Sequence, residues 1–168
     1  MSISQALLAE VEHEMTGLRT TLERIPSEHL DWSPHEKSMT MRGLATHLIN
    51  MPRWGQVTVT EAEFDFAPDG TPLVEEPVAS VAAGLEKFDA LLAGFKTALA
   101  GASDEELMAP WALKNNGQVV FALPRVAVLR GFIMNHMIHH RAQLGVYLRL
   151  RDVPVPSLYG PSADEAPK

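Results

Sequence analysis

The apolar positions of this chain recur at helical spacing in four long stretches, which are separated by connectors that contain proline or glycine. The first stretch covers residues 2–25, where Ser2 or Ser4 can cap a helix and Pro26 ends it. Its apolar side chains fall within one narrow stripe, and they are Leu7, Leu8, Val11, Met15, Leu18, Leu22 and Ile25. The pattern predicts an amphipathic helix that buries one face.

Three further stretches have the same helical spacing of apolar residues. Ser38 or Thr40 can cap the second helix, and Pro124 occupies the first turn of the fourth. Residues 60–76 are acidic and contain prolines, which is typical of a surface loop. The helices predicted after the first one cover residues 38–59, 78–100 and 124–152.

Residues 111–122 have strand character. Two short apolar runs flank Asn115, Asn116 and Gly117, and an Asn-Gly pair is a strong signal for a hairpin turn. Together with the helices, this pattern predicts an all-α four-helix bundle that forms a single domain of residues 1–168. The small hairpin-like segment precedes the last helix.

Composition narrows the possible functions. The net charge of −7 opposes a nucleic-acid-binding surface, which is normally basic. The chain has no cysteine, so a disulfide framework, a thiolate metal site and a thiol nucleophile are excluded. It shows neither an apolar run long enough to cross a bilayer nor an N-terminal signal pattern. We therefore expect a cytoplasmic protein that binds neither nucleic acid nor membrane.

Histidines are the candidate chemistry of this chain. His136 and His140 lie four residues apart on the inner face of the last predicted helix, where they can form half of a metal site or a hydrogen-bonded core pair. His47, midway along the second predicted helix, favours the metal site because it can face this pair. Three imidazoles leave a coordination position open, and they suit zinc, nickel, iron or copper.

Other polar residues can support such a site. His139 lies on the flank of the same helix, and Gln143 stands almost in line with His136 two turns on, where it can orient a ligand. Arg141 points away from the site, towards a loop, the tail or a partner chain. Three further histidines are expected at the surface, and they are His13, His29 and His35.

The back of the last predicted helix is also only weakly polar. A helix that is apolar on two sides is either central or used for association, and small residues allow a close approach. These positions predict a homodimer, and they are Gly131, Met134, Ile138, Ala142 and Gly145.

The chain resembles the DinB-like family, also described as YfiT-like metal-dependent hydrolases. The matching segments are residues 44–48 around His47, residues 136–144 and the tail 153–165. The resemblance implies an up-down-down-up four-helix bundle, often dimeric, with a divalent metal held by three histidines. By the matching motifs these are His47, His136 and His140. Characterised relatives include transferases and isomerases that use low-molecular-weight thiols.

These observations predict a divalent-metal-binding protein that acts as a metal-dependent enzyme on a small molecule. The predicted type is a hydrolase or a low-molecular-weight-thiol S-transferase, with His139, Gln143 and Tyr159 as candidate catalytic supports. An alternative is a non-catalytic metal- or small-molecule-binding module with a role in stress. A third is a structural dimer whose histidines belong to the core.

Overall fold

The computed structural model describes residues 1–165 and is mostly helical. The chain begins with three long helices. Its last helical run consists of several shorter segments that follow one another. The helices are α1 (Ile3–Glu23), α2 (Met41–Thr60), α3 (Val81–Gly101), α4 (Asp104–Met108), α5 (Arg125–Ala127) and α6 (Asn135–Leu150). A 3-10 turn spans Ser27–His29, and a π-helical segment, Val128–Met134, joins α5 to α6. The predicted domain extends to residue 168, and its residues 166–168 lie outside the described part of the chain.

Hydroxyl caps set the starts of the long helices. Ser2 caps α1, and Thr40 caps α2 by accepting a hydrogen bond of 3.1 Å from the Gly43 N–H. The third helix begins later than predicted, because Ser80 is its cap. Val78 stays outside the helix and donates its N–H to the Thr46 hydroxyl at 3.0 Å. This bond joins the start of α3 to the middle of α2.

The core lies where the long helices meet. α3 packs against both α1 and α2, and α6 also packs against α1 and α2. The predicted apolar face of α2 is buried, and its members are Met41, Leu44, Leu48 and Met51. Since both α2 and α6 line this core, polar side chains on their inner faces are brought towards each other.

The structure also contains a three-stranded sheet. Its strands are β1 (Glu63–Asp65), β2 (Pro110–Asn115) and β3 (Gln118–Pro124). The predicted hairpin is formed by β2 and β3, whose turn places Asn116 and Gly117 at φ values of 50° and 75°. β1 pairs in parallel with β2, so the prediction of a plain surface loop over residues 60–76 was wrong there. The purely all-α prediction therefore becomes a mostly helical fold with a small sheet.

Asp65 explains why this short strand pairs. Its carboxylate accepts hydrogen bonds from the backbone N–H groups of Ala67, Asn116 and Gly117 at 2.9, 3.1 and 2.7 Å. These bonds, the one from Gly117 above all, lower the pKa of Asp65. The contact joins positions about 50 residues apart in the chain. The pattern of apolar and polar residues along the sequence therefore gives no indication of this contact.

Gly55 is required by the close approach of α2 and α3. A Cβ at this position would lie 2.7 Å from ring carbons of the fully buried Phe95. We expect Gly55→Ala to destabilise the protein by about 1–3 kcal/mol, because neither helix can move freely in a packed core. Chemical denaturation measures the change. Gly101→Ala is the control, since a Cβ there meets no described atom within 4 Å; a similar loss in both variants would contradict this explanation.

Within residues 1–165, no helix combines the length and the apolar character that are needed to cross a bilayer.

Candidate metal centre

The structure brings three histidine rings together between α2 and α6. The Nε2 atom of His136 lies 2.8 Å from Nε2 of His140 and 3.3 Å from Nε2 of His47. The potential ligand atoms of the three residues all lie within 4.8 Å of one another. The three Nε2 atoms therefore converge on a common point.

The separations of these nitrogen atoms suit a transition metal. Zinc binds imidazole nitrogen at about 2.0–2.1 Å, which in tetrahedral geometry places two ligand nitrogens about 3.3 Å apart. The distance between His47 and His136 matches this value. The 2.8 Å between His136 and His140 is a hydrogen-bond distance, so these two rings need to move apart by a fraction of an ångström when an ion binds. The donor set consists of nitrogen alone, which zinc, nickel, iron and copper all accept. The residues present therefore fit a bound divalent ion.

The outer nitrogen of His140 has a clear partner. Its Nδ1 lies 2.7 Å from the Oε1 atom of Gln143, and an amide oxygen can only accept a hydrogen bond. This contact assigns the proton of a neutral His140 to Nδ1 and leaves the lone pair on Nε2, which points at the other histidines. Gln143 was predicted to lie in line with His136. The structure places its side chain against His140, which precedes Gln143 by three residues.

Glu75 approaches the cluster from the loop after β1. Its Oε2 atom lies 4.0 Å from Nδ1 of His47, and its Oε1 atom accepts a hydrogen bond of 3.2 Å from the Trp54 indole. Burial raises the pKa of this carboxyl group. The sequence contains no signal for this role, because Glu75 stands in an acidic, proline-rich stretch that shares no periodic pattern with α2.

A small cavity adjoins the histidines. It has a volume of about 40 Å³, and His47, Met51, Trp54, Phe132 and His136 contribute to its lining. One water molecule needs about 10–15 Å³ when volume is measured in this way. The cluster therefore has free space on one side, where a substrate atom or a water molecule can approach.

Comparison with known proteins identifies the family. The family model described as "DinB family" matches residues 1–167. The chain belongs to the DinB family. The structure is similar to that of a DinB-like protein from Bacillus cereus, with a TM-score of 0.69 and 18% identity over 92% of this chain and 97% of that one. A DinB-like protein from Bacillus subtilis, YjoA, gives a TM-score of 0.68 and 17% identity over 91% of this chain and 96% of that one.

At these identities the two solved structures establish the DinB-like fold alone. None of the curated proteins matches the chain. The predicted family is confirmed, while the reaction and the metal depend on the site itself.

The remaining predicted residues of this DinB family protein lie in different places. His139 is exposed, with its ring centroid 4.9 Å from that of His140, so it stands at the edge of the cluster. Tyr159 is not brought to the histidines, because its hydroxyl group contacts Glu14 and Arg141. His13 and His35 are exposed, and His29 is half-buried near Arg151.

Burial keeps the three clustered histidines neutral. Burial, together with the positive charges that His136 and His140 would carry, lowers the pKa of His47 to about 4. Burial also lowers the pKa of His136 and of His140, although the hydrogen bond with Gln143 opposes the effect at His140. Near pH 7 all three therefore offer lone pairs, which is the form that binds a metal.

These shifts predict a pH dependence for the metal-free protein. Between about pH 6.5 and pH 4 the unfolded chain binds more protons at His47 than the native state does, so stability falls as the pH falls. For His47, which is partly exposed, we expect a loss of about 1–2 kcal/mol after allowance for solvent screening. The raised pKa of Glu75 acts in the opposite direction.

Chemical denaturation of the EDTA-treated protein at pH 7 and pH 5 measures this loss. The carboxyl groups whose pKa is lowered, such as Asp65 and Asp164, titrate below this range and contribute little to it. His47→Gln is the matched variant and should lose less stability than the wild type. Equal losses in the two proteins would show that His47 does not cause the effect.

Proposed function

We propose that His47, His136 and His140 bind one divalent transition metal, and that the protein uses it as a metal-dependent enzyme on a small-molecule substrate. The observation that supports this most strongly is the convergence of the three Nε2 atoms, with the Nδ1 proton of His140 held by Gln143. Imidazoles that bind a metal commonly donate their other N–H to an oxygen atom in this way.

The reaction types that we propose are hydrolysis and the transfer of a low-molecular-weight thiol. The chain has no cysteine, so a thiol reaction at this centre takes its thiol from a free small molecule. When bound, the metal supplies Lewis-acid chemistry, which polarises a substrate group or lowers the pKa of water or of a thiol. The protein itself orients the His140 imidazole through Gln143 and places the Glu75 carboxylate near His47, and it leaves an apolar space of about 40 Å³ beside the rings.

Exposed His139 is the candidate for proton transfer at the edge of the cluster. Tyr159, which was the third candidate, is replaced in this proposal by Glu75, whose carboxylate lies 4.0 Å from His47. At this distance the carboxylate makes no hydrogen bond to His47, but its negative charge can attract a cation bound at the ring.

Metal analysis combined with a substrate screen tests the proposal. The purified protein should hold about one metal ion per chain, and adding zinc, nickel, iron or manganese to the EDTA-treated protein should raise its melting temperature. Thiol-transfer and ester-hydrolysis substrates are then offered with each metal. Turnover that EDTA abolishes would support the enzyme. Stoichiometric metal without any turnover would favour the non-catalytic binding module, and failure to bind any of the four metals would overturn the site.

We also propose that the protein is a homodimer that associates through the outer face of the last helical run. Gly131 and Ala142 are exposed there, as a close helix–helix contact needs. Two positions of the predicted face are already used within the chain, since Met134 is fully buried and Gly145 faces Val155 of the tail. Sedimentation analysis should show a dimer that Ala142→Glu converts to monomer, whereas a monomeric wild type would contradict the proposal.

A further inference from the structure

A second and larger cavity lies between α2, β1 and the segment that follows β1. It has a volume of about 230 Å³. Its apolar lining includes Trp54, Val57, Phe64, Phe66, Leu73 and Trp111. An engineered apolar cavity of about 150 Å³ binds benzene, so this one has room for an aromatic ring with small substituents. The Trp54 and Phe64 rings pack edge to face at 5.2 Å, which gives the wall a defined shape.

Two residues connect this cavity to the three-histidine centre. Trp54 lines both the large cavity and the small cavity that His47 and His136 border. Glu75 lines the large cavity, accepts the hydrogen bond from Trp54, and places its other carboxylate oxygen 4.0 Å from His47. One indole and one carboxylate therefore form the boundary between the apolar cavity and the imidazoles.

The lining of the cavity disfavours an ionic ligand group among its aromatic rings. Among its described lining residues, Arg53 and Glu75 carry charges of opposite sign, and Arg53 favours the ionised form of Glu75. The carboxylate of Glu75 is already a hydrogen-bond partner of Trp54. A charged ligand group would face one like charge and lose its hydration among aromatic rings, which is costly. An uncharged part of a ligand therefore enters this aromatic space at the lowest desolvation cost.

The edge of the cavity exposes apolar side chains that a ligand would cover. Leu73 is 56% exposed and Val74 is 87% exposed, and both line the cavity. The segment is anchored, because the Leu73 N–H donates a hydrogen bond of 2.7 Å to the Phe66 carbonyl oxygen. Adjacent exposed apolar residues at the rim of an apolar cavity are typical of a binding site.

We propose that this cavity holds the uncharged aromatic or branched apolar part of a substrate whose reactive group lies at the three-histidine centre. The inference rests on the metal binding proposed above. It adds the class of substrate, which is a small molecule with a ring-sized apolar group next to the group that reacts. Trp54 and Glu75 then contact the substrate between these two parts.

A pair of hydroxamates tests this inference on the zinc-loaded protein. Acetohydroxamate and benzohydroxamate share the same metal-binding head, and they differ in carrying a methyl or a phenyl group. After correction for their affinities for free Zn²⁺, calorimetry should show benzohydroxamate binding at least about tenfold more tightly, which corresponds to about 1.4 kcal/mol. The readout is binding alone, so it does not require a known reaction.

Two variants and two matched controls locate the phenyl group. Val57→Phe fills the cavity, and Leu73→Asp places a charge at its exposed rim. Both should reduce the preference for benzohydroxamate to less than about twofold, with unchanged zinc binding. The controls Val119→Phe and Leu123→Asp make the same changes on β3, at exposed positions that do not line the cavity, and should keep the preference. Leu73→Asp decides the result if Val57→Phe fails to fold.

The outcomes separate the two proposals. Equal corrected affinities for the two hydroxamates in the wild type would overturn the cavity inference and leave metal binding intact. A preference that survives in Leu73→Asp would place the phenyl group elsewhere and would also overturn it. Failure of all four metals, zinc, nickel, iron and manganese, to bind would overturn the proposed function and this inference with it.

Discussion

Replacing His136 with alanine is expected to lower the affinity of the protein for zinc by more than about 100-fold. His136 supplies the Nε2 atom that lies within 3.3 Å of both other Nε2 atoms, so its loss leaves His47 and His140 without their common neighbour. Changes to residues that only orient metal ligands cost about 10–100-fold, and loss of a ligand should exceed that range. Competition with a chromophoric chelator measures the affinity.

His139→Ala is the matched control for this prediction. It removes the same side chain from the same helix, but at an exposed position at the edge of the cluster. Its zinc affinity should stay within about threefold of the wild type, while Gln143→Leu should fall between the two, within the range for orienting residues. Zinc affinity in His136→Ala that equals that of His139→Ala would rule out the three-histidine site.

Arg141→Ala is expected to destabilise the protein by about 3–5 kcal/mol, because it leaves the buried carboxylate of Glu14 without its cation. The Arg141 side chain is 3% exposed, and its Nη2 atom lies 2.8 Å from Oε2 of Glu14. Arg141 also donates to the Glu14 carbonyl oxygen at 2.8 Å and to the Tyr159 hydroxyl at 2.6 Å. Tyr159 in turn donates to Glu14 at 2.7 Å, which closes the cluster.

The loss should lower the melting temperature by about 6–20 °C in a chain of this length, as measured by calorimetry. Arg149→Ala is the control on the same helix, because its ion pair with Asp164 is exposed and should be worth about 1 kcal/mol or less. The double variant Glu14→Leu with Arg141→Met should recover much of the stability, since it removes both buried charges. A small loss in Arg141→Ala would contradict the burial argument.

The two predictions concern one helix whose side chains have different surroundings, as the adjacent residues His140 and Arg141 show. His140 faces α2 and the other histidines, whereas Arg141 faces α1 and the tail. A step of one residue turns a helical side chain by about 100°, so the two residues serve different parts of the molecule. The spacing of the motif alone indicated this division. Arg141 was predicted to contact a loop, the tail or a partner chain, and the structure places it against Tyr159 of the tail and Glu14 of α1.

Local patterns predicted most helix limits, because caps and prolines act on the residues beside them. The sequence indicated a cap at Thr40, the Asn116-Gly117 turn and the buried face of α2. β1 was not, because its pairing depends on contacts between Asp65 and a turn about 50 residues away. The π-helical segment Val128–Met134 before His136 was also missed, since the sequence there reads as an ordinary apolar helix.

The amino-acid sequence by itself determined the mostly helical fold, the family and the three histidines that lie together. Helical periodicity and the spacing of His136 and His140 are local properties, and the match around His47 needs no coordinates. The tertiary structure decided which groups surround these rings: Gln143 against His140, Glu75 beside His47, and Tyr159 with Arg141 instead of the site. These contacts, and the aromatic cavity next to the histidines, depend on how distant segments pack in space, which no single stretch of sequence specifies.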